Sequence, residues 1–389
     1  MPTPAPEGEL AGLDWRATTA FLDSAAASGA MPGAVLGVSY RGARLTYGTG
    51  RLGLDDPTRP DANTVYDLAS LTKVVGLTTA VMLSVEEGRL DLDTPVEYYL
   101  PRFDGPGKDA VTLRHLLTHT SGLPPWRPLY SEAPTRDSAL ALVYATDLEI
   151  PVGSETRYSD LGAILLTQAV EVAWDSGLDS LLEQRVFRPL GMTSTTFRPP
   201  PSWKDRIAPT EDDPWRGRII RGEVHDENAA RLGGVSGHAG LFSTTRDLLV
   251  FGEWLLSAFQ AETPEPVCFN GVRCGARPAL AAPSVVPAFA TRQYMVPESS
   301  RALGWDTPSG LSTAGTLMSE DSFGHTGFTG TSIWIDPRNQ LVVVLLTNRV
   351  HPSRENSRIG PVRRGVADHV VLTLMPDAEP RPDAVVKAR

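Results

Sequence analysis

Ser70-Leu71-Thr72-Lys73-Val74-Val75-Gly76-Leu77-Thr78-Thr79-Ala80-Val81-Met82-Leu83 is the stretch from which the rest of the chain is best read. Ser70 and Lys73 stand one turn apart at the head of an apolar run, so in a helix a hydroxyl and an amine share one face within hydrogen-bonding reach. In a first helical turn, free backbone N–H groups and the helix dipole stabilise developing negative charge and disfavour an ammonium, which suits a serine nucleophile activated by a neutral amine. Lysine is a rare choice here: the chain has four, at positions 73, 108, 204 and 387, against 32 arginines. It is also the cation that can give up its proton. Alone the pattern is weak, because a serine at a helix start is an ordinary N-cap and a lysine three residues on is an ordinary solvated side chain. The run 74–83 is about half of the roughly 20 residues that a bilayer crossing needs, and it predicts a buried core helix with no membrane span.

Upstream, the spacing of Trp15, Phe21 and Leu22 predicts an amphipathic helix over 14–27. Two strands follow, Ala34 to Tyr40 and Ala43 to Tyr47, turned at Arg41-Gly42. Downstream, apolar faces at helical spacing occupy 70–86, 136–145, 160–174, 177–187 and 245–259. Strand character returns at Ala302 to Trp305, Asp321 to His325, Thr331 to Ile335 and Leu341 to Thr347, and a helix near 361–374 follows. Strands at both ends with helices between predict an α+β fold, an antiparallel sheet built from both termini, flanked by helices, with a mainly helical region inserted. The expected division is a tail over 1–12, one catalytic domain over 13–375 and a tail over 376–389. Within the domain, 13–68 and 285–375 form the α/β part and 69–284 the helical part.

Two further elements lie downstream of Ser70. Tyr158-Ser159-Asp160 follows a glycine-containing loop and enters the helix that starts at Leu161, placing a phenol on a loop at a helix entrance. Phe323-Gly324-His325-Thr326-Gly327-Phe328-Thr329-Gly330-Thr331 precedes a strand, with glycines that allow a strand edge close approach to a ligand. Neither is decisive alone. In this order the three resemble the SxxK, YxN and K/HTG motifs of the serine β-lactamase and penicillin-binding-protein superfamily. Their separations, 88 residues from Ser70 to Tyr158 and 167 from Tyr158 to His325, look like the class C β-lactamase branch with its carboxylesterases, DD-peptidases and transacylases. The stretches 113–123 (LRHLLTHTSGL) and 237–243 (GHAGLFS) are similar to ones common in that branch, and the likeness covers roughly 15–375.

The resemblance implies Ser70 as the acylated nucleophile, Lys73 as its proton acceptor and Tyr158 as the general acid and base. It implies an oxyanion hole from the backbone N–H groups of Ser70 and Phe328, with Asp160, His325, Thr326 and Gly327 in the substrate site; Trp126, after Gly122-Leu123-Pro124-Pro125, is read equally as a substrate contact or as core. His325 stands where many relatives have lysine, and as a neutral imidazole it favours a substrate carboxylate less. Asp160 replaces the asparagine of the second motif, and a carboxylate cannot donate to an acylamide carbonyl, which disfavours penicillins. Paired with Lys73, Asp160 would raise the amine's pKa and shift the base role toward Tyr158.

Composition agrees with a soluble enzyme acting on small molecules. Hydrophobic residues make up 41% and charged residues 21% of 389, and 36 basic against 46 acidic residues leave a net charge of −10, which opposes nucleic-acid binding. Cys268 and Cys274 match neither a zinc or redox spacing nor a disulfide framework, although a local disulfide stays open. The opening MPTPAPEGEL has no basic and apolar signal pattern, so a cytoplasmic location is expected. Gly48 to Gly53 matches GxGxxG without a following helix and reads as a loop, and His115 and His119, at i and i+4, read as structural because no HExxH glutamate accompanies them. Neither a cofactor nor a metal is expected, and GxSxG is absent. The segment 198–238, with Trp203, Trp215, His225, Asp226 and Asn228, is either a pocket rim or a self-packed excursion. The expected partner is a small ester or amide, and the favoured reading is a serine hydrolase of small esters. Alternatives are a transacylase, a β-lactamase or DD-peptidase, and a non-catalytic ligand-binding protein on this scaffold.

Overall fold

A computed structural model describes residues 5–260, 280–281 and 284–386. Cys268 and Cys274 lie outside the described residues. The main sheet has five antiparallel strands: β1 (Gly33–Tyr40), β2 (Ala43–Gly50), β7 (Phe323–Thr326), β8 (Ser332–Asp336) and β9 (Leu341–Thr347), in the order β2-β1-β9-β8-β7. Three short strand pieces and one more form two small ribbons, β3 (Tyr66–Asp67) with β6 (Phe242–Ser243) and β4 (Asp212–Asp213) with β5 (Arg218–Ile219). The α+β architecture expected from the strand and helix order is present: β1 pairs β9 in the register Ala34↔Thr347 to Tyr40↔Leu341, joining the two ends of the chain at the sheet centre.

Both faces of that centre are covered, which is why β1 and β9 are buried at every position. Side chains of a strand alternate. Val35, Val342, Val344 and Leu346 face the larger core, shared with the helical region, while Leu36, Val38, Val343 and Leu345 face a second core under the helices Arg16–Ala27 and Ile359–Leu374. The helix Thr245–Gln260 lies close on the sheet because Gly37 and Gly252 carry no Cβ; one at Gly37 would strike Thr245, and one at Gly252 would strike Val342.

Two expectations need correction. Ala302 to Trp305 is not a strand: Gly304, at φ 80° against Thr78, turns the chain, and only the bridges Arg301↔Asp306 and Asp306↔Gly324 form. Gly48 to Gly53 is not simply a loop, since β2 runs on through Gly50 opposite Gly33. The helix headed by Ser70 also departs from a plain α-helix. A 3₁₀ turn over Ala69–Leu71 leads into a wide π-helical stretch, Lys73–Thr78, before regular α-helix over Thr79–Glu86. The Thr79 hydroxyl donates to the Val74 carbonyl five residues back (3.1 Å), a carbonyl group that the widened turn leaves reachable. The whole helix, 18 residues of mean hydropathy 1.2, is long and apolar enough to cross a membrane, yet 83% of it is buried inside the molecule.

Candidate active site

Ser70 follows a residue held in an unusual conformation. Ala69 has φ 47°, and its amide donates to Asp67 Oδ1 (2.8 Å), so the buried Asp67 carboxylate bends the chain just before the serine. Asp67 Oδ2 accepts the His225 amide (2.6 Å), and burial raises this carboxyl's pKa against those two bonds. The Leu68 amide donates to Leu241 (2.9 Å), anchoring the bend to the strand piece at β6.

Lys73 comes one turn later and is 3% exposed. Its Nζ donates to Ser70 Oγ (3.1 Å) and to the His238 carbonyl (2.9 Å), and it forms an ion pair with Asp160 at 2.6 Å. Burial penalises this ammonium, but the Asp160 charge, with the Tyr158 phenol beside it, outweighs burial and the amine's pKa is raised. Lys73 therefore stands as a cation held by Asp160, not as the neutral amine expected from its place in the first turn. The His238 carbonyl is fixed in turn, because its ring bonds Asp226 (2.9 Å) and Ser236 (2.7 Å).

Tyr158 is brought in by the loop before the helix Asp160–Trp174, whose N-cap Ser159 accepts from the Gly162 amide (3.3 Å). Its ring centroid is 4.9 Å from Lys73 Nζ, and its hydroxyl is buried with no hydrogen-bond partner. Its orientation comes from a residue that spacing alone does not disclose. The helix of His115 ends at Leu117, and His119, at φ 57°, leaves that helical face. The His119 carbonyl accepts the Arg157 amide (2.7 Å), its Nδ1 accepts the Ser159 amide (3.2 Å), and its ring lies 4.4 Å from that of Tyr158. His115 instead closes a capping box with Thr112.

The loop from His325 approaches the same point. Gly327 packs so closely on the Leu68 carbonyl that a Cβ would collide with it, and the hydroxyls of Thr329 and Thr331 donate to the carbonyls of Asp67 (2.7 Å) and Leu68 (2.9 Å). Phe328 has its carbonyl held by Arg349 (2.8 Å) and its ring between Arg349 and His225 (5.8 Å). The His325 ring is 5.9 Å from that of Tyr158, and Thr326 ends β7 opposite Ser332. His325 Nδ1 lies 2.8 Å from the Thr326 carbonyl, which fixes the proton on Nδ1 and leaves Nε2 an acceptor. Burial, then Arg301 and Lys73, hold its pKa well below the ordinary histidine value.

Ser70, Lys73, Tyr158, Asp160, His325, Thr326, Gly327 and Phe328 are thus gathered at one place. Trp126 is exposed and contacts Tyr130 (6.3 Å), which meets Trp215 (5.1 Å), so it belongs to an aromatic rim rather than to the Ser70 cluster. In the segment 198–238, Asn228 ties that rim down by donating to the Arg127 carbonyl (2.8 Å), and His225 and His238 are working parts of the floor. Among the described residues no group of three or more His, Cys, Asp or Glu side chains could hold a metal ion.

Burial, then the charges of Arg301, Lys73 and His325, also push the pKa of His119 well down. Below the ordinary value of about 6.5 the unfolded chain takes up a proton that the folded chain refuses, so this histidine costs stability as pH falls, at up to about 1.4 kcal/mol per pH unit. His119→Asn keeps an acceptor for the Ser159 amide and tolerates a positive φ. Its melting temperature is expected to drop less between pH 7 and pH 5 than that of the unaltered chain; equal slopes would show that His119 is not a buried neutral ring.

The family model described as Beta-lactamase matches residues 18–367. The chain belongs to the β-lactamase family. A protein of Salmonella schwarzengrund (strain CVM19633) named "Putative D-alanyl-D-alanine carboxypeptidase" is 34% identical over an alignment of 345 positions, covering 79% of this chain and 74% of that one. Among solved structures, the octameric penicillin-binding protein homologue from Pyrococcus abyssi superposes with a TM-score of 0.71 at 21% identity, over 97% of this chain and 81% of that one. EstCE1, described as a hydrolase with promiscuous acyltransferase activity, gives 0.66 at 22% identity, over 90% and 97%. At those identities both structures show the β-lactamase-family fold alone.

Proposed function

We propose that this member of the β-lactamase family is a serine hydrolase that works through an acyl-enzyme on Ser70 and acts on small esters. The observation that carries the reading is the contact of Ser70 Oγ with Lys73 Nζ at 3.1 Å beside a buried, unpartnered Tyr158 hydroxyl. Ser70 Oγ bonds to the ester carbonyl carbon, and the oxyanion is held by the N–H groups of Ser70 and Phe328. The serine proton passes to the Tyr158 oxygen as the phenol gives its own proton to the departing alkoxide, so the phenol is restored. Lys73, kept as an ammonium by Asp160 at 2.6 Å, supplies positive charge to the serine oxygen and takes no proton. Water then enters by the same relay in reverse and frees Ser70. Asp160 presents only acceptors, which supports esters over substrates whose acylamide carbonyl needs a donor.

A second reading, cleavage of a D-alanyl-D-alanine peptide, is supported by the 34% identity to the named Salmonella protein. Intact mass measurement after mixing with p-nitrophenyl acetate tests the first reading. A transient gain of one acetyl group, absent in Ser70→Ala, is expected; no adduct and no p-nitrophenol release above the Ser70→Ala rate would overturn it. Release of D-alanine from an acyl-D-alanyl-D-alanine peptide without ester turnover would favour the second.

A further inference from the structure

Two residues adjacent in sequence, His225 and Asp226, hold two different groups of the site. The His225 amide donates to Asp67 Oδ2 (2.6 Å), the carboxylate that bends the chain before Ser70. The Asp226 carboxylate caps the helix Glu227–Arg231 by accepting the Ala229 amide (2.7 Å), and the same oxygen lies 2.9 Å from His238 Nε2. A carboxylate only accepts, so Nε2 carries a proton, and Nδ1 meets the Ser236 hydroxyl (2.7 Å). Both ring nitrogens of His238 are thus engaged, and the residue is 1% exposed. It sits in a stretch, 232–241, that belongs to no helix or strand and turns at Gly234 and Gly240 with φ 80° and 119°. Such a stretch has little preference of its own, so tethers set its course. The Gly237 amide donates to Thr167 Oγ1 (2.8 Å), the Leu241 amide donates to Thr72 Oγ1 (3.0 Å), and between them the His238 ring is tied to Asp226.

The carbonyl of His238 is what this arrangement delivers. An ammonium has three protons, and Lys73 has three partners for them: Asp160 at 2.6 Å, the His238 carbonyl at 2.9 Å and Ser70 Oγ at 3.1 Å. With Lys73 3% exposed, little water is at hand to replace any of them. The ion pair is the strongest pull on Nζ, and the contact with Ser70 is the longest of the three. A carbonyl free to turn away would leave its proton without an acceptor and leave the ion pair to set where Nζ rests, loosening the contact with Ser70. We infer that Asp226 is a positioning residue for the attack by Ser70: through the His238 ring it fixes the carbonyl that keeps Lys73 against Ser70, while the neighbouring His225 amide fixes the turn that carries Ser70. The loop of the oxyanion hole rests on the same dipeptide, since the His225 ring, held by Glu211 (2.9 Å), stacks on Phe328 (5.8 Å). The inference rests on Ser70 being the acylated residue, and it assigns alignment to a residue outside the three motifs.

The test separates alignment from helix capping. Asp226→Ser keeps an oxygen that caps the Ala229 amide but is too short to reach the His238 ring, whereas Asp226→Asn keeps an acceptor for both. An alkyl fluorophosphonate reports on Ser70 directly: Ser70 Oγ bonds to phosphorus, the phosphorus–fluorine bond breaks, the serine proton departs with the fluoride, and intact mass follows the adduct. Asp226→Ser is expected to slow this labelling by about tenfold or more, the effect of a small misplacement of reacting groups, and Asp226→Asn to recover most of the rate. With p-nitrophenyl acetate the same loss is expected in kcat, with KM changed by less than about threefold, because Asp226 acts at one remove from the ester. Labelling of Asp226→Ser at the parent's rate, or an equal loss in both variants, would overturn the inference. His238→Ala, which removes the ring and keeps the carbonyl, is expected to repeat the loss; the parent's rate in that variant would overturn the inference even if Asp226→Ser did not fold. A melting temperature within a few degrees of the parent shows that a variant is folded. If the parent is labelled by the fluorophosphonate but gains no acetyl group from the ester, the ester reading fails and the labelling rates still decide the role of Asp226; if Ser70 takes neither group, both fail.

Discussion

Tyr158→Phe is expected to lower kcat for p-nitrophenyl acetate by about 10²- to 10⁴-fold, the range that a positioned proton carrier contributes. The replacement removes one oxygen and keeps the ring, so the contacts with His119 (4.4 Å), His325 (5.9 Å), Lys73 (4.9 Å) and Arg301 (5.3 Å) survive. The hydroxyl lies beside Lys73 without a well-aligned hydrogen bond, so stability is expected to change little. A large kinetic loss without thermal loss would thus come from the missing proton carrier. A reduction of less than about tenfold would remove Tyr158 from the relay.

Lys73→Met is expected to destabilise the fold by about 3–5 kcal/mol, because it strips the counter-ion from a carboxylate that has little water to fall back on. The Lys73 side chain is 4% exposed and that of Asp160 20%, at 2.6 Å. Adding Asp160→Leu, which leaves no unpaired charge, is expected to return most of the lost stability without returning activity; urea midpoints of the three chains make the comparison. If Lys73→Met unfolds at the parent's midpoint, the ion pair is not what holds Lys73 in place. Asp160→Asn leaves burial, the largest influence on the amine, without its main opponent, so the Lys73 pKa moves down and the alkaline limb of the pH–rate profile moves with it. If Lys73→Met and Tyr158→Phe lose activity equally at a temperature where both are folded, the division that gives the phenol the proton and the amine only charge would fail.

Much of this was legible from local signals. The hairpin β1–β2, the strand Leu341–Thr347 and the helices over 136–145 and 160–174 follow from periodicity and turn residues, which are properties of neighbouring positions. The spacing of Ser70 and Lys73 already placed a hydroxyl beside an amine, because one turn of helix does so whatever surrounds it. Three things were hidden because they depend on distant segments. Lys73 is a cation because Asp160, 87 positions later, is its neighbour. His119 braces Tyr158 only because its helix stops at Leu117. Arg301 is one arginine among 32, and nothing in its own surroundings of sequence sets it apart until the fold puts it against a phenol.

The pairing of β1 with β9 brings together residues about 300 positions apart, Tyr40 with Leu341 among them. During synthesis, the nucleophile and its ammonium leave the ribosome long before β7, whose loop approaches them, and β9, which pairs with β1. Until then β1 presents an unmatched edge, and the cost of closing so long a loop falls late in assembly. A chain interrupted before residue 323 would therefore carry Ser70, Lys73 and Tyr158 and still be inert and sticky, a natural substrate for chaperones rather than a half-working enzyme.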